Sequence, residues 1–311
     1  MFDIAGLNSQ YIIAVDIGGT NIRTALVHEN GTIITENRER TPRDSSPEAV
    51  LGVIDGLMRQ EEGYARASVI VMGTPGLVNP DQGIVRKSGN LRWDNVELAR
   101  MAREKWSRPV FIDNDVRLHT RGELAFSPGT KDMLVVVIGT GIAIGVVVAG
   151  KVYTGSHFAA GEIGHFTVST RGLVCGCGKK GCLETICGVR SLSQSYRRCS
   201  GVGAEDFPAR LVGGLATHDA CAIAAWKVLS QGLAWALSAV LLVLDPEKVV
   251  IGGGLGVLYP MWQEYFLPVL ETYLIPAAPH CEILPSVLGD RAAVYGALHL
   301  ARSTGLFGLD T

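Results

Sequence analysis

A surplus of either charge is missing from this chain of 311 residues: 28 Lys and Arg stand against 30 Asp and Glu, with no run of basic residues. Recognition of a nucleic acid or a membrane surface by bulk electrostatics is therefore not expected. The first ten residues, MFDIAGLNSQ, lack the basic start and apolar stretch of a signal peptide, so a cytoplasmic protein is expected. Long hydrophobic runs are missing too. The longest, around Leu233 to Leu244, is broken by Ser238 and bounded by Asp245-Pro246, too short to cross a bilayer. No Ser/Thr/Pro/Gly-rich linker or low-complexity tract interrupts the chain. Cysteine is sparse and odd in number. Of seven, Cys187, Cys199, Cys221 and Cys281 follow no framework spacing, which suits free thiols in a reducing compartment. Apolar residues, by contrast, make up 47% of the chain, ample for one large domain or two lobes.

The remaining three cysteines lie together. The stretch Gly161 to Glu184, GEIGHFTVSTRGLVCGCGKKGCLE, places His165, Cys175, Cys177 and Cys182 in an H-x9-C-x-C-x4-C pattern. One imidazole and three thiolates form the ligand set of a closed tetrahedral zinc site, which has no open position for water and so folds a loop instead of doing chemistry. Glycines at 176, 178 and 181 supply backbone angles that side-chained residues resist. Ordinary buried thiols are the plain alternative, against which the clustering and the upstream His both count. A disulfide between Cys175 and Cys177 would close a strained ring.

This segment resembles the zinc loop of the ROK family (repressor, open reading frame, kinase), whose members share G-E-x-G-H followed by C-x-C-G-x2-G-C-x-E. Every fixed position is present, as Gly161, Glu162, Gly164, His165, Cys175, Cys177, Gly178, Gly181, Cys182 and Glu184. The resemblance implies that Glu162, His165 and Glu184 face a hexose while the metal holds the loop, so that His165 serves twice.

Tyr11 to Val27 reads as strand, tight turn and strand, with Asp16 at the exit of the first run and Gly18-Gly19-Thr20 in the turn. Glycines there let backbone N–H groups approach a phosphate, and the carboxylate can hold a magnesium ion through water. By itself the pattern equally suits a bare hairpin. A second copy follows at Met133 to Val148, with Gly139-Thr140-Gly141 in the turn. Two such hairpins about 120 residues apart suggest a duplicated unit whose halves face each other across a cleft. The resemblance implies an α/β, two-lobed actin-like ATPase (ribonuclease H-like) fold gripping ATP. The small lobe is expected over 1–115, completed by a closing helix in 291–311, and the large lobe with the zinc loop over 116–290. Gly252-Gly253-Gly254 follows the apolar run from Lys248; the resemblance makes it an adenosine contact, and a plain βα loop is the other reading.

Between the hairpins, apolar spacing predicts a helix over Glu48 to Glu62 and a strand over Val69 to Met72 that runs into Gly73-Thr74-Pro75-Gly76. That turn resembles the family's G-x-P-G at the sugar side. Asn90, in SGNLRWDN, takes the place of a family hexose contact, although its spacing to Trp93 is one residue short of the common form. A strand over Val110 to Asp113 ends in Asp113-Asn114-Asp115 ahead of a helix start. A carboxylate there can accept a proton, or it can cap the helix. The resemblance makes Asp115 the catalytic base, with Asn114 beside it and Gly122-Glu123 further on, but Val116-Arg117-Leu118 is bulkier and more charged than the family's small residues. Ser191 to Arg198 reads as helical and Gly201 to Gly214 as a loosely patterned insertion. Asp219 to Leu244 reads as a helix buried in the larger lobe or at a dimer contact, with Trp226 and Trp235 in the core. Arg291 to Arg302 closes the chain as a helix.

The function implied is ATP-dependent phosphorylation of a hexose at its primary hydroxyl. Asp115 would act as base, Gly76, Asn90, Asn114, Glu162, His165 and Glu184 would hold the sugar, and magnesium would sit near Asp16. Glucose is the first expectation; N-acetylmannosamine, mannose or fructose, polyphosphate as donor, and a non-catalytic sugar-binding role stay open. Family regulators carry a winged helix-turn-helix ahead of the first hairpin, for which the ten residues before Tyr11 are too few, so a DNA partner is not expected. A homo-dimer or dimer of dimers is.

Overall fold

The computed structural model of the chain describes residues 10–60, 62–201, 218–276 and 281–305. Residues 1–9, almost all of the expected insertion and the end of the chain lie outside the described residues. In chain order, β1 (Tyr11–Ile17), β2 (Asn21–His28), β3 (Ile33–Arg40), α1 (Pro47–Arg59) and β4 (Val69–Thr74) come first. Short strands β5 (Leu77–Asn79), β6 (Ile84–Ser88) and β7 (Trp93–Val96) precede α2 (Leu98–Trp106), β8 (Val110–Asn114) and α3 (Asp115–Ala125). Then come β9 (Met133–Ile138), β10 (Ile142–Val148), β11 (Lys151–Tyr153), α4 (Val189–Ser200) and α5 (Ala220–Leu244). The chain continues through β12 (Lys248–Gly252), α6 (Tyr259–Glu271), β13 (Glu282–Pro285) and α7 (Ala292–Ser303).

These elements fall into two compact units. One runs through Pro128 and takes in Thr154–Ala160 and the chain from Arg291 onward; the other comprises Gly129–Tyr153 and Gly161–Asp290. Each unit is built on a five-stranded sheet, ordered β3-β2-β1-β4-β8 in the first and β11-β10-β9-β12-β13 in the second. The plan is the same twice. An antiparallel hairpin and a third antiparallel strand are extended on the other side by two parallel strands. The paired hairpins seen in the sequence are the start of each copy.

Burial follows from position in the sheet. Central β4 (VIVMGT) is covered on both faces and is buried throughout, whereas edge strand β3 alternates half-buried with exposed residues. Helix α1 starts where Ser46 accepts a hydrogen bond from Ala49 N (3.3 Å) ahead of Pro47, and presents Val50, Leu51, Ile54, Leu57 and Met58 to the core.

Helix α5 starts at Asp219, whose carboxylate accepts hydrogen bonds from the N–H groups of Cys221 and Ala222 (2.8 and 3.0 Å). It continues the apolar run seen in the sequence back to Ala220, giving 25 residues, and by length and composition alone is long and apolar enough to cross a membrane. It is this whole helix, and not the shorter run from Leu233 to Leu244, that passes the test of length. Its Ala222, Trp226, Leu229, Leu233 and Leu237 are wholly buried and pack with β9, β12 and Trp262 of α6, as a core helix does. Trp235 differs from expectation: it faces outward, 39% exposed, and stacks on Phe166 with ring centroids 5.1 Å apart. The free-thiol reading holds at Cys187 and Cys281 and is corrected at the other two. Cys199 at the end of α4 and Cys221 at the start of α5 are disulfide-bonded, with Cα atoms 5.4 Å apart, because the two helix ends meet across a gap of 22 residues in sequence.

The packing that matters most for the first unit is α3 against α7, which also lies on β1 and β4 through Ile12, Ala14, Val69, Val71, Val294, Ala297 and Leu298. Two glycines bring these helices to backbone contact. A Cβ on Gly122 would overlap the Ala292 carbonyl, and one on Gly296 would overlap that of Leu118. Gly296→Ala should therefore destabilise. Helix propensity favours Ala by about 1 kcal/mol, but overlap with a backbone oxygen cannot be relieved by a rotamer and costs about 1–3 kcal/mol or more. A lowered Tm is expected; an unchanged or higher Tm would mean that the helices are not held this closely.

Candidate active site and metal centre

In the first unit the expected residues gather at one end of the parallel strands. Asp16 of β1 pairs with Gly73 of β4, which pairs with Asp113 of β8. The C-terminal ends of parallel strands are where α/β sheets bind ligands. A Cβ on Gly73 would lie 3.5 Å from Asp115 Cα, so the strand carrying the Gly73–Gly76 turn runs directly beneath the start of α3. The Gly18-Gly19-Thr20 turn is closed by Gly18 N donating to Asn21 O (2.8 Å). Thr41, which sequence reading did not single out, braces it: Thr41 Oγ1 donates to Gly18 O (2.6 Å) and Thr41 N to Thr20 O (3.0 Å). Asn90, on the exposed turn between β6 and β7, sits beside Gly19, where a Cβ would be 3.3 Å from that of Asn90.

The choice left open at Asp113-Asn114-Asp115 has a structural answer. Asn114 is the cap of α3: its Oδ1 accepts from Arg117 N (3.1 Å), and its Nδ2 donates to Gly76 O (3.0 Å). Asn114 is buried and its amide is engaged at both ends, so it braces the Gly76 turn. Gly76 holds φ +110°, and a Cβ there would overlap the Lys87 carbonyl, so only glycine suits the position. Asp115 is the first residue of α3, half-buried, with Oδ1 accepting from Val116 N (2.9 Å).

In the second unit the Gly139-Thr140-Gly141 turn is closed by Gly139 N donating to Gly141 O (2.9 Å), and Val189 N at the start of α4 donates to Gly139 O (2.9 Å). Gly252 ends β12 opposite Val137, and Gly253, at φ +77°, lies so close to Ile138 that a Cβ would fall 2.6 Å from its carbonyl oxygen. Gly254 follows in open space. Both glycine turns thus lie at the same end of adjacent strands β9 and β12.

The loop from Gly161 to Glu184 packs onto this end. Gly161, at φ +91°, accepts from Ile144 N (2.9 Å), and the chain then turns through Ile163–His165. The donor atoms of His165, Cys175, Cys177 and Cys182 all lie within 4.8 Å of one another. His165 Nδ1 is 3.6 Å from Cys175 Sγ, and Cys177 Sγ is 3.6 Å from Cys182 Sγ. Sulfurs held about 2.3 Å from one tetrahedral ion stand roughly 3.8 Å apart. The donor set therefore fits a single divalent ion. The other ring nitrogen, His165 Nε2, faces Glu162 Oε2 at 3.9 Å, beyond hydrogen-bond distance but on the side from which a carboxylate can orient an imidazole that binds a metal through Nδ1. Burial pushes the Cys175 thiol up to about 12 and raises Cys182 as well. At Cys177 burial also pushes upward, but the Lys179 backbone N–H, the neighbouring sulfurs and the Lys179 ammonium outweigh it, and the thiol falls below its usual range. Glu184 takes a place that motif reading did not foresee. One carboxylate oxygen accepts from Cys175 Sγ (3.6 Å), and the other lies over Gly141, where a Cβ would overlap it. A metal-loop residue is thereby packed on the second glycine turn.

Comparison with known proteins follows this geometry. Residues 12–304 match the model of the ROK family, and the chain belongs to that family. It is 28% identical over 320 residues to a glucokinase of Halalkalibacterium halodurans, covering 93% of this chain and 94% of that one. It is 26% identical over 311 residues to a xylose repressor of Caldicellulosiruptor bescii, covering 94% of this chain and 78% of the repressor. Among solved structures, a ROK family glucokinase of Streptomyces griseus in complex with glucose and AMPPNP superposes with a TM-score of 0.85 at 25% identity, over 94% of this chain and 99% of that one. The fold is the actin-like ATPase fold of ROK sugar kinases.

If an ion holds the loop, its loss should be visible without any assay of activity. Chelator treatment, or Cys182→Ala, is expected to lower Tm by several degrees, and Cys182→Ala should abolish the chelator's further effect. Retention should weaken as pH falls, because protons compete for the thiolates and the imidazole. Melting that neither treatment moves would show that the cluster holds no structural metal.

Proposed function

We propose that this chain transfers the γ-phosphoryl group of ATP to the primary 6-hydroxyl of a hexose, glucose first. The observation that carries the reading is Asp115. It stands on the first turn of a helix at the ends of three parallel strands, and the capping duty at that place falls to Asn114. Kinship with glucokinases and the match to a glucose- and AMPPNP-bound family structure support the substrate pair.

Phosphoryl transfer asks a protein mainly to position groups and offset charge, since the attacking and leaving oxygens lie in line and the transition state is loose. In this reading Asp115 accepts the proton of the sugar hydroxyl as its oxygen bonds to phosphorus and the bond from phosphorus to the leaving ADP oxygen breaks. Asn90, Glu162, His165 and Glu184 hold ring hydroxyls, and Asn114 keeps the Gly76 turn in register. Backbone N–H groups of Gly18–Thr20 and Gly139–Gly141 receive the phosphates, and Gly252–Gly254 the adenosine. Magnesium near Asp16 would offset phosphate charge. Zinc suits the sulfur-rich donor set of the loop and would fix Glu162 and His165 in place.

A second reading draws on the repressor relative: a protein that binds sugar without phosphorylating it. A coupled assay of ATP with glucose, N-acetylmannosamine, mannose and fructose separates the two. Turnover with glucose is expected, and Asp115→Ala should lower kcat by about 10²–10⁴-fold while sugar binding, followed by calorimetry, persists. Sugar binding without turnover in the unaltered protein would favour the sensor, and an Asp115→Ala variant of near-normal rate would remove Asp115 from the mechanism.

A further inference from the structure

Two residues past Asp115 lies a cation that the proposed chemistry does not use. Arg117 is 4% exposed. Burying a guanidinium is costly unless its donors are paired. Here they are: Nε donates to Asp113 Oδ1 (2.5 Å), Nη2 to Val78 O (2.8 Å) and Nη1 to Phe158 O (3.2 Å). Asp113, itself 1% exposed, also accepts from Asn114 N (2.8 Å) and faces Arg121 through its other oxygen (3.4 Å). Phe158 holds φ +60°, a backbone state that a bulky side chain resists and that needs outside support.

One buried fork therefore ties four pieces of the first unit together: the end of β8, the first turn of α3, strand β5 just past Gly76, and the Thr154–Ala160 segment. The first two run on in sequence, and the acceptors on the other two lie 39 and 41 residues from Arg117. A planar guanidinium can reach three acceptors in fixed directions, which an ammonium cannot.

We infer that Arg117 is a positioning residue for the phosphoryl acceptor site. Acting through Asp113, Asn114 and Val78, it sets the Asp115 carboxylate and the Gly76 turn in mutual register. The role rests on the phosphoryl-transfer reading above. Misplacement of about 1 Å at a reacting group can cost 10²-fold in rate, so loss of the fork should appear in kcat more than in nucleotide KM.

The experiment compares Arg117→Lys, Arg117→Met and the double variant Asp113→Asn/Arg117→Met with the unaltered full chain. Tm, kcat, both KM values and amide hydrogen exchange are measured. Arg117→Lys should lower kcat by roughly 10- to 100-fold with nucleotide KM unchanged within about twofold, and peptides containing Val78 and Phe158 should exchange faster. Arg117→Met leaves a buried carboxylate short of its partner and should also lower Tm; neutralising that carboxylate in the double variant should restore Tm but not kcat. A rate that recovers together with Tm would make Arg117 a stabilising residue only and overturn the inference, as would full activity in Arg117→Lys. Unchanged exchange at Val78 and Phe158 would overturn the clamp whatever the rates. Absence of turnover in the unaltered protein would instead sink the phosphoryl-transfer reading and take the positioning role with it, even if exchange responds as expected.

Discussion

Three sulfurs and one imidazole nitrogen within 4.8 Å of each other are the constraint from which the second unit's candidate site follows. The loop from Gly161 to Glu184 is rich in glycine and is anchored to the core at its two ends, through Ile163 and Leu183, which leaves the stretch between to be held by other means. What that stretch has is a compact set of four donor atoms, and residues that donate nothing are packed against it. Glu162 meets the far nitrogen of His165, and Glu184 reaches from Cys175 to the backbone of Gly141. Phe166 is stacked on Trp235, which joins the loop to α5. The candidate site in this unit is thus a polar wall beside a Cys/His cluster, anchored to the hydrophobic core through Ile163 and Leu183.

The first unit reaches order by other means. Its five-stranded sheet repeats the plan of the second, but its candidate residues are held by hydrogen bonds and by backbones in contact. Asn114 caps α3 and grips Gly76, Thr41 braces the first glycine turn, and α3 is pressed onto α7 at Gly122 and Gly296. The same duplicated sheet therefore carries a hydrogen-bond network in one copy and a Cys/His cluster suited to a metal ion in the other.

Much of this was readable from residue order, because the signals were local. Both hairpins, the α1 and β4 periods, the strand-to-helix step at Asp115 and the H-x9-C-x-C-x4-C loop are patterns within a few tens of residues. What escaped was non-local. The small sheet β5-β6-β7 is built from strands of three to five residues, too short to show a period. Arg117 looked only like a bulky departure, since its acceptors lie 4, 39 and 41 residues away. Trp235 reads as core by composition, and only the loop that stacks on it explains its outward place. The pairing of Cys199 with Cys221 depends on where two helices end, which spacing does not encode. The extent of α5, by contrast, was legible, since Asp219 to Leu244 reads as one helix and is one from its cap at Asp219.

The central claim is that a bound ion organises the loop, and the most direct test is X-ray absorption at the zinc edge on the purified protein, with metal content measured on the same sample. The account predicts about one zinc per chain, with three sulfurs near 2.3 Å and one nitrogen near 2.0 Å. A sample that holds no zinc after purification without chelators, or zinc in a shell of oxygens, would contradict it.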